Sequence, residues 1–257
     1  MISKINKIIA KKNKIPIVCL TAYSKIFSKI LDKYCDIILV GDSLANVLYG
    51  IKNTHAITLD MMINHAQSVK QGITKSLFVV DLPFNTYKNS KQSIKNAKRV
   101  IKETKCDAIK IESNYKNHNI IRELTKKKIQ VMGHIGYTPQ FHKKFKIKGD
   151  SKLEENKLIK DAMKIEEAGA FAIVLECIKQ KTAKKITKVI GIPTIGIGSS
   201  SDCDGQILVT DDLLGLSGFY PKFVKKYLNL NRIVAKSIKQ YRKEVINKKF
   251  PKHKNHF

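Results

Sequence analysis

Five residues of the chain share an unusual setting. Asp42, Asp81, Glu112, His134 and Glu176 each close an apolar run of strand length, in "DIILVGD", "LFVVDL", "DAIKIE", "IQVMGH" and "AFAIVLE". An ionised carboxylate is costly to bury unpaired, so ending buried strands on acids needs a reason. A single acid in such a place can cap the helix that follows. Four carboxylates and a histidine at consecutive strand ends exceed what capping requires. Brought together they would repel, and a cation or a shared proton would have to offset that. Oxygen ligands in small number suit Mg²⁺, with water or substrate completing the shell. Zinc suits them less, because the chain has neither HExxH nor a Cys/His cluster. His134 fits a hydrogen-bonded structural place as well as a site-lining one. Lys110 lies two residues before Glu112 and therefore shares its side of a strand. An ammonium there is either half of a structural salt bridge or a clamp for a substrate carboxylate. Beside a metal site the clamp is the preferred reading.

Such residues work together only if regular elements carry them to one place. Eight apolar runs read as strands, over 15–21, 36–42, 77–82, 107–112, 129–134, 170–176, 192–198 and 205–210. Segments of helical period separate most of them. "AYSKIFSKILDKY" sets Ile26, Phe27, Ile30, Leu31 and Tyr34 on one face. Thr58 suits an N-cap, and Gly72 and Gly169 suit helix ends. A final helix is predicted from about Pro221, with proline at an early helical position. Strands alternating with helices point to a (β/α)8 TIM barrel of the α/β class, single-domain over 1–257. A short N-terminal helix lies within 1–14, and 244–257 form a polar tail. The seventh crossover is very short, and a doubly wound open sheet is the structural alternative. In a barrel every strand end opens on the C-terminal mouth, where catalytic residues gather.

Composition narrows the partners. The 257 residues carry a formal charge of +28. The excess is nearly all Lys, spread over most predicted helices, and the arginines are only Arg99, Arg122, Arg232 and Arg242. Few aromatics interleave with it, so solvated helix faces explain it better than a nucleic-acid site. Anionic small substrates would still be drawn in. No apolar run approaches the ~18 residues that span a bilayer, so no membrane partner is expected. Five cysteines, odd in number and without CxxC spacing, suit a reducing cytoplasm.

Taken in order, "ILVGDSLANVLYG", "VVDLPF", "AIKIE", "VMGHIGYTPQ", "AGAFAIVLEC", "IPTIGIGSSSDCDGQILVTDDLLGL" and "PKFVKKY" resemble the ketopantoate hydroxymethyltransferase family from about Ile17 to Tyr227. The resemblance implies transfer of a hydroxymethyl group from 5,10-methylenetetrahydrofolate to 3-methyl-2-oxobutanoate. It implies 2-dehydropantoate as product, on the way to pantothenate and coenzyme A, one Mg²⁺ per subunit, and a decamer. By position, Asp42, Asp81 and Glu112 correspond to metal residues. Asp42, Ser43, Asp81, Lys110 and His134 correspond to substrate-site residues. Glu176 corresponds to the proposed general base. Its apolar strand suits that role, because desolvation raises a carboxylate pKa. Cys177 is read as a packing residue. The chain departs from the family pattern at Ala45, Met61, Ser200 and Asp211, and in a shorter "FHKKFKIKGD" loop; these bear on folate affinity and loop closure. A Mg²⁺-dependent carbon–carbon lyase or phosphonomutase of the phosphoenolpyruvate-mutase type is the alternative. Those enzymes typically carry a reactive Cys motif that this chain lacks.

Overall fold

A computed structural model describes every residue except 1, 2, 114, 116, 143, 219, 253, 254, 256 and 257. The chain divides into two compact units, Met1–Val209 and Thr210–Phe257. The first runs α1 (Lys4–Ile9), β1 (Ile17–Thr21), α2 (Lys25–Leu31), β2 (Ile37–Val40), α3 (Leu44–Val47), α4 (Leu59–Lys70), β3 (Leu77–Asp81) and α5 (Ser90–Thr104). It continues through β4 (Ala108–Lys110), α6 (His118–Lys126), β5 (Val131–Gly136), α7 (Lys152–Glu167), β6 (Ala172–Glu176), α8 (Gln180–Val189), β7 (Thr194–Ile197) and β8 (Gly205–Leu208). The eight strands pair in parallel and in chain order, and β8 returns to β1 to close the barrel.

A period of two sorts each strand between two cores. Ile37, Leu39, Leu77, Val79, Ala108, Met132, Ala172 and Val174 meet inside the barrel. Their neighbours Ile38, Phe78, Val80, Ile109, Ile173 and Leu175 pack outward against helix residues such as Met62, Ala97, Leu124 and Ile165. Both layers are buried, so the strands read as continuous apolar runs rather than alternating ones. Fully burying a side chain such as Phe78 contributes roughly 2 kcal/mol.

Between β7 and β8 there is a turn and no helix, the very short crossover expected from the sequence. Asp204 holds this seam. Its Oδ2 accepts from the Thr194 N–H at 2.8 Å, the Thr194 hydroxyl at 2.9 Å and the Lys12 ammonium at 2.8 Å. Its Oδ1 accepts from the Asn13 N–H at 2.8 Å, and its backbone carbonyl from the Ile17 N–H at 2.8 Å. One buried carboxylate thus ties β7 and β8 to the segment that enters β1. At Gly205 a Cβ would lie 2.5 Å from the Ile17 carbonyl oxygen, so the closing strands meet at a residue without a side chain.

In the second unit, α9 spans Thr210–Leu213 and α10 spans Leu230–Ile246. The expected start near Pro221 is corrected: α10 begins where the Asn229 side chain caps the Arg232 N–H, and Pro221 lies in the preceding turns. The expected polar tail overlaps the end of α10, and most of its last residues lie outside the described ones. No residue of α10 is buried. No helix is long and apolar enough to cross a membrane among the described residues.

The seam predicts a large effect from one residue. Burial opposes ionisation of Asp204, but Lys12 and the backbone N–H donors outweigh it and hold its pKa below the usual value. Asp204→Ala should destabilise the protein by about 3 kcal/mol, because Lys12 is left buried without its partner. The Asp204 contribution should be full above the usual carboxylate pKa and fade as pH falls through the lower folded value. Urea unfolding of the two proteins at neutral and acid pH measures both.

Candidate active site

The inner rows of the barrel end in the site. Leu77 and Val79 lead on to Asp81, Ala108 to Lys110 and Glu112, Met132 to His134, and Ala172 and Val174 to Glu176. Asp81, Lys110, His134 and Glu176 each lie two residues beyond an inward apolar neighbour, and Glu112 two beyond Lys110, so all face the same interior. Asp81 and Glu176 are the last residues of their strands, while Glu112 lies two beyond β4. His134 is corrected from a strand end to a mid-strand place, since β5 runs on to Gly136. Asp42 does not follow the period. Gly41 takes the inner place after Leu39, and Asp42 enters through the turn that begins α3. At Gly136 (φ +101°) a Cβ would lie 2.1 Å from the Glu176 carbonyl oxygen, so glycine lets the end of β5 lie against β6.

The structure brings the expected residues together. Lys110 Nζ stands 3.0 Å from Asp81 Oδ1. The other oxygen, Asp81 Oδ2, accepts the Asp42 N–H at 3.1 Å. His134 lies between two acids, with Nδ1 3.7 Å from Glu112 Oε1 and Nε2 3.4 Å from Glu176 Oε2. Neither ring nitrogen is aligned for a hydrogen bond. Ser43 is paired through its hydroxyl with Tyr23, at 2.8 Å. Glu176 is the most open of the four carboxylates: its side chain is 19% exposed, against 3% for Asp81 and 1% for Glu112. The apolar run before Glu176 therefore ends at the water boundary rather than beneath it. Cys177 turns away at φ +50°, and its thiol is pushed up to about 12 by burial and then by Glu176, in keeping with a packing role.

Burial dominates the electrostatics. It pushes Asp81 up to about 6; Lys110 opposes the shift and the neighbouring Asp42 adds to it. Glu112 is raised well above its usual value by burial and then by Asp42. Burial and the Lys110 charge lower His134, which favours the neutral ring. For Lys110, burial is overcome by Asp81, Asp42 and Glu112, and the ammonium stays charged.

Sequence reasoning missed residues that hold these carboxylates. Gln140 donates from Nε2 to Asp42 Oδ2 at 2.8 Å and from its backbone N–H to Glu112 Oε2 at 3.0 Å. The Tyr87 hydroxyl donates to Gln140 Oε1. Asn117 donates to the Glu112 carbonyl at 2.7 Å. For Gln140 the available signal was its place at the end of the quoted "VMGHIGYTPQ"; for Tyr87 there was none.

Among the described residues no three of His, Cys, Asp or Glu form a ready metal cage. The fit of a cation is judged from the individual oxygens. Asp42, Asp81 and Glu112 each have one oxygen fixed by an N–H donor. The other oxygen of Asp42 and of Glu112 has no hydrogen bond among the described residues, and that of Asp81, fully buried, faces the Lys110 ammonium at 3.0 Å. By donor type, three hard carboxylates fit a hard divalent cation.

The family model of ketopantoate hydroxymethyltransferase matches residues 2–253. The chain belongs to this family. A 3-methyl-2-oxobutanoate hydroxymethyltransferase of Pelagibacter ubique (strain HTCC1062) is 50% identical over 257 residues, covering 100% of both chains. One of Rhizobium etli (strain ATCC 51251 / DSM 11541 / JCM 21823 / NBRC 15573 / CFN 42) is 46% identical over 250 residues, 95% of this chain and 92% of that one. Solved structures share the barrel at much lower identity. A 2,3-dimethylmalate lyase of the PEP mutase/isocitrate lyase superfamily has a TM-score of 0.62 at 14% identity, covering 100% of this chain and 93% of that one. A phosphonopyruvate hydrolase in complex with oxalate and Mg²⁺ has a TM-score of 0.62 at 11% identity, covering 81% of each. These show the fold alone. The lyase alternative shares the architecture, whereas the family match rests on the sequence itself.

Asp81 makes the electrostatics testable. Its raised pKa favours the protonated form in the folded state, so its contribution to stability falls as pH rises toward and through about 6. In metal-free protein, Asp81→Asn should gain about 1 kcal/mol relative to the unsubstituted chain between pH 5 and pH 7. Chemical unfolding of both at the two pH values measures the difference. A gap that shrinks as pH rises would contradict the burial argument.

Proposed function

We propose that this barrel mouth binds 3-methyl-2-oxobutanoate and adds to its C3 a hydroxymethyl group whose carbon comes from 5,10-methylenetetrahydrofolate. The chain is a transferase by its family and acts on small molecules. The observation that carries the site reading is the set of half-held carboxylates, Asp42, Asp81 and Glu112, beside Lys110. We assign Mg²⁺ to them; when bound it would polarise the keto group and make the C3 proton more acidic. Lys110 and Ser43 would orient the keto acid, with the ammonium facing its carboxylate. Glu176 is the acid not tied to Gln140 or Asp42. His134 separates it from Glu112, and it sits where water can reach it. It would take the proton from C3, returning it to solvent. Water would cleave both C–N bonds of the methylene group, its two protons staying on the nitrogens of the departing tetrahydrofolate. C3 would then bond to the formaldehyde carbon left behind, and the formaldehyde oxygen, protonated from solvent, becomes the hydroxyl.

We place this chemistry in the cytoplasm. All five cysteines are free and buried, which suits a reducing compartment. We also infer a homo-oligomer, a decamer by family resemblance. The exposed apolar residues of α10, Ile233, Val234, Ile238, Tyr241 and Val245, support association.

Purified protein should form 2-dehydropantoate from 3-methyl-2-oxobutanoate and methylenetetrahydrofolate only when Mg²⁺ is present. No Mg²⁺-dependent product would overturn the assignment. Glu176→Gln should still bind the keto acid but lose C3 deuterium exchange by about 10²–10⁴-fold, the usual contribution of a general base. Exchange at the original rate would remove Glu176 from that role.

A further inference from the structure

Gln140 lies in the loop after β5 and is 1% exposed. Every polar atom it has is engaged. Nε2 donates to Asp42 Oδ2 at 2.8 Å and to the Leu82 carbonyl at 3.2 Å. Oε1 accepts the Tyr87 hydroxyl, the backbone N–H goes to Glu112 Oε2 at 3.0 Å, and the backbone carbonyl faces His55 Nε2 at 3.0 Å. The amide can sit only one way round. Turned over, its oxygen would face the Asp42 carboxylate and the Leu82 carbonyl, and the Tyr87 hydroxyl would lose the acceptor it donates to. Tyr87 remains a donor, because burial and the nearby Glu112 and Asp42 hold its hydroxyl proton on.

Asp42 follows β2 and Glu112 follows β4, with β3 between them. Two like charges carried by separate strands would swing apart or protonate. A lysine joining them would hold them but cancel the charge a cation needs. Gln140 adds no charge: its side-chain amide holds one oxygen of Asp42, its backbone N–H holds one oxygen of Glu112, and the second oxygen of each is left unheld. From this we infer that Gln140 is the positioning residue of the cation site and that Tyr87 fixes its amide. The inference rests on the Mg²⁺ reading of Asp42, Asp81 and Glu112. It also means that displacing Gln140 would release both acids.

The test is Mn²⁺ binding to metal-free protein, followed by electron paramagnetic resonance without substrate. Gln140→Met keeps the side-chain length but removes its donors and acceptor. Its Mn²⁺ affinity should fall about 10- to 100-fold, the range for residues that orient metal ligands. Tyr87→Phe should lose less, on the order of fivefold, as expected for one hydrogen bond. In turnover, both variants should need more Mg²⁺ for half-maximal rate, with a smaller change in the saturated rate; a purely structural role would not produce that split. Thermal unfolding of the metal-free variants checks that they fold. Mn²⁺ affinity in Gln140→Met equal to that of the unsubstituted chain overturns the proposal. Should Gln140→Met not fold, equal affinity in Tyr87→Phe overturns it instead. Absence of Mn²⁺ binding by the unsubstituted chain would overturn the Mg²⁺ reading as well, which separates the two failures.

Discussion

The site depends on keeping several carboxylates close together, out of water and still able to carry charge. In the barrel mouth Asp42, Asp81 and Glu112 face one ammonium, Lys110, and burial pushes Asp81 and Glu112 toward the protonated form. Repulsion of this kind is relieved by spreading the acids, neutralising them, or tying them down with uncharged donors. Here Lys110 neutralises part of the charge at Asp81, and the N–H groups of Asp42 and Gln140 hold the rest. The arrangement holds one oxygen of each acid by an N–H donor.

The barrel makes this possible because its strands are fixed before the acids meet. Two apolar layers lock each strand, so a side chain two residues beyond an inward Val or Ala has little choice of direction. Between β7 and β8 the crossover carries no helix. A second buried acid, Asp204, handles it in the opposite way to the active site. It is saturated with donors and a lysine, and its pKa is lowered rather than raised. The same residue type is lowered in pKa where donors saturate it and raised where burial outweighs them.

The charge of the chain lies elsewhere. The +28 excess sits on lysines scattered over helices, while the mouth concentrates acid. Field lines from such a surface favour the approach of small anions without dictating where they bind. In the buried mouth desolvation makes each charge count for more.

Much of this was legible in the residues themselves. All eight strands and their order followed from apolar runs and turn signals, because a strand buried on both faces leaves a continuous apolar signature. Asp81, Lys110, Glu112, His134 and Glu176 were identifiable because a period of two fixes which side they face once the strand is known. The start of α10 was misread from Pro221, since a proline compatible with a helix start does not require one there. Asp42 was found only as the acid after an apolar run; its entry through a turn, around Gly41, follows no period. Gln140 and Tyr87 could not be derived from spacing at all. Their contacts span 98 and 53 residues of sequence, and such pairings exist only after the barrel has closed. The sequence alone determined which strands exist and which acids they carry inward, because side-chain alternation is local. Tertiary structure alone decided which oxygens are held and how deeply each acid is buried, because hydrogen bonds and desolvation depend on neighbours that the local chain does not contain.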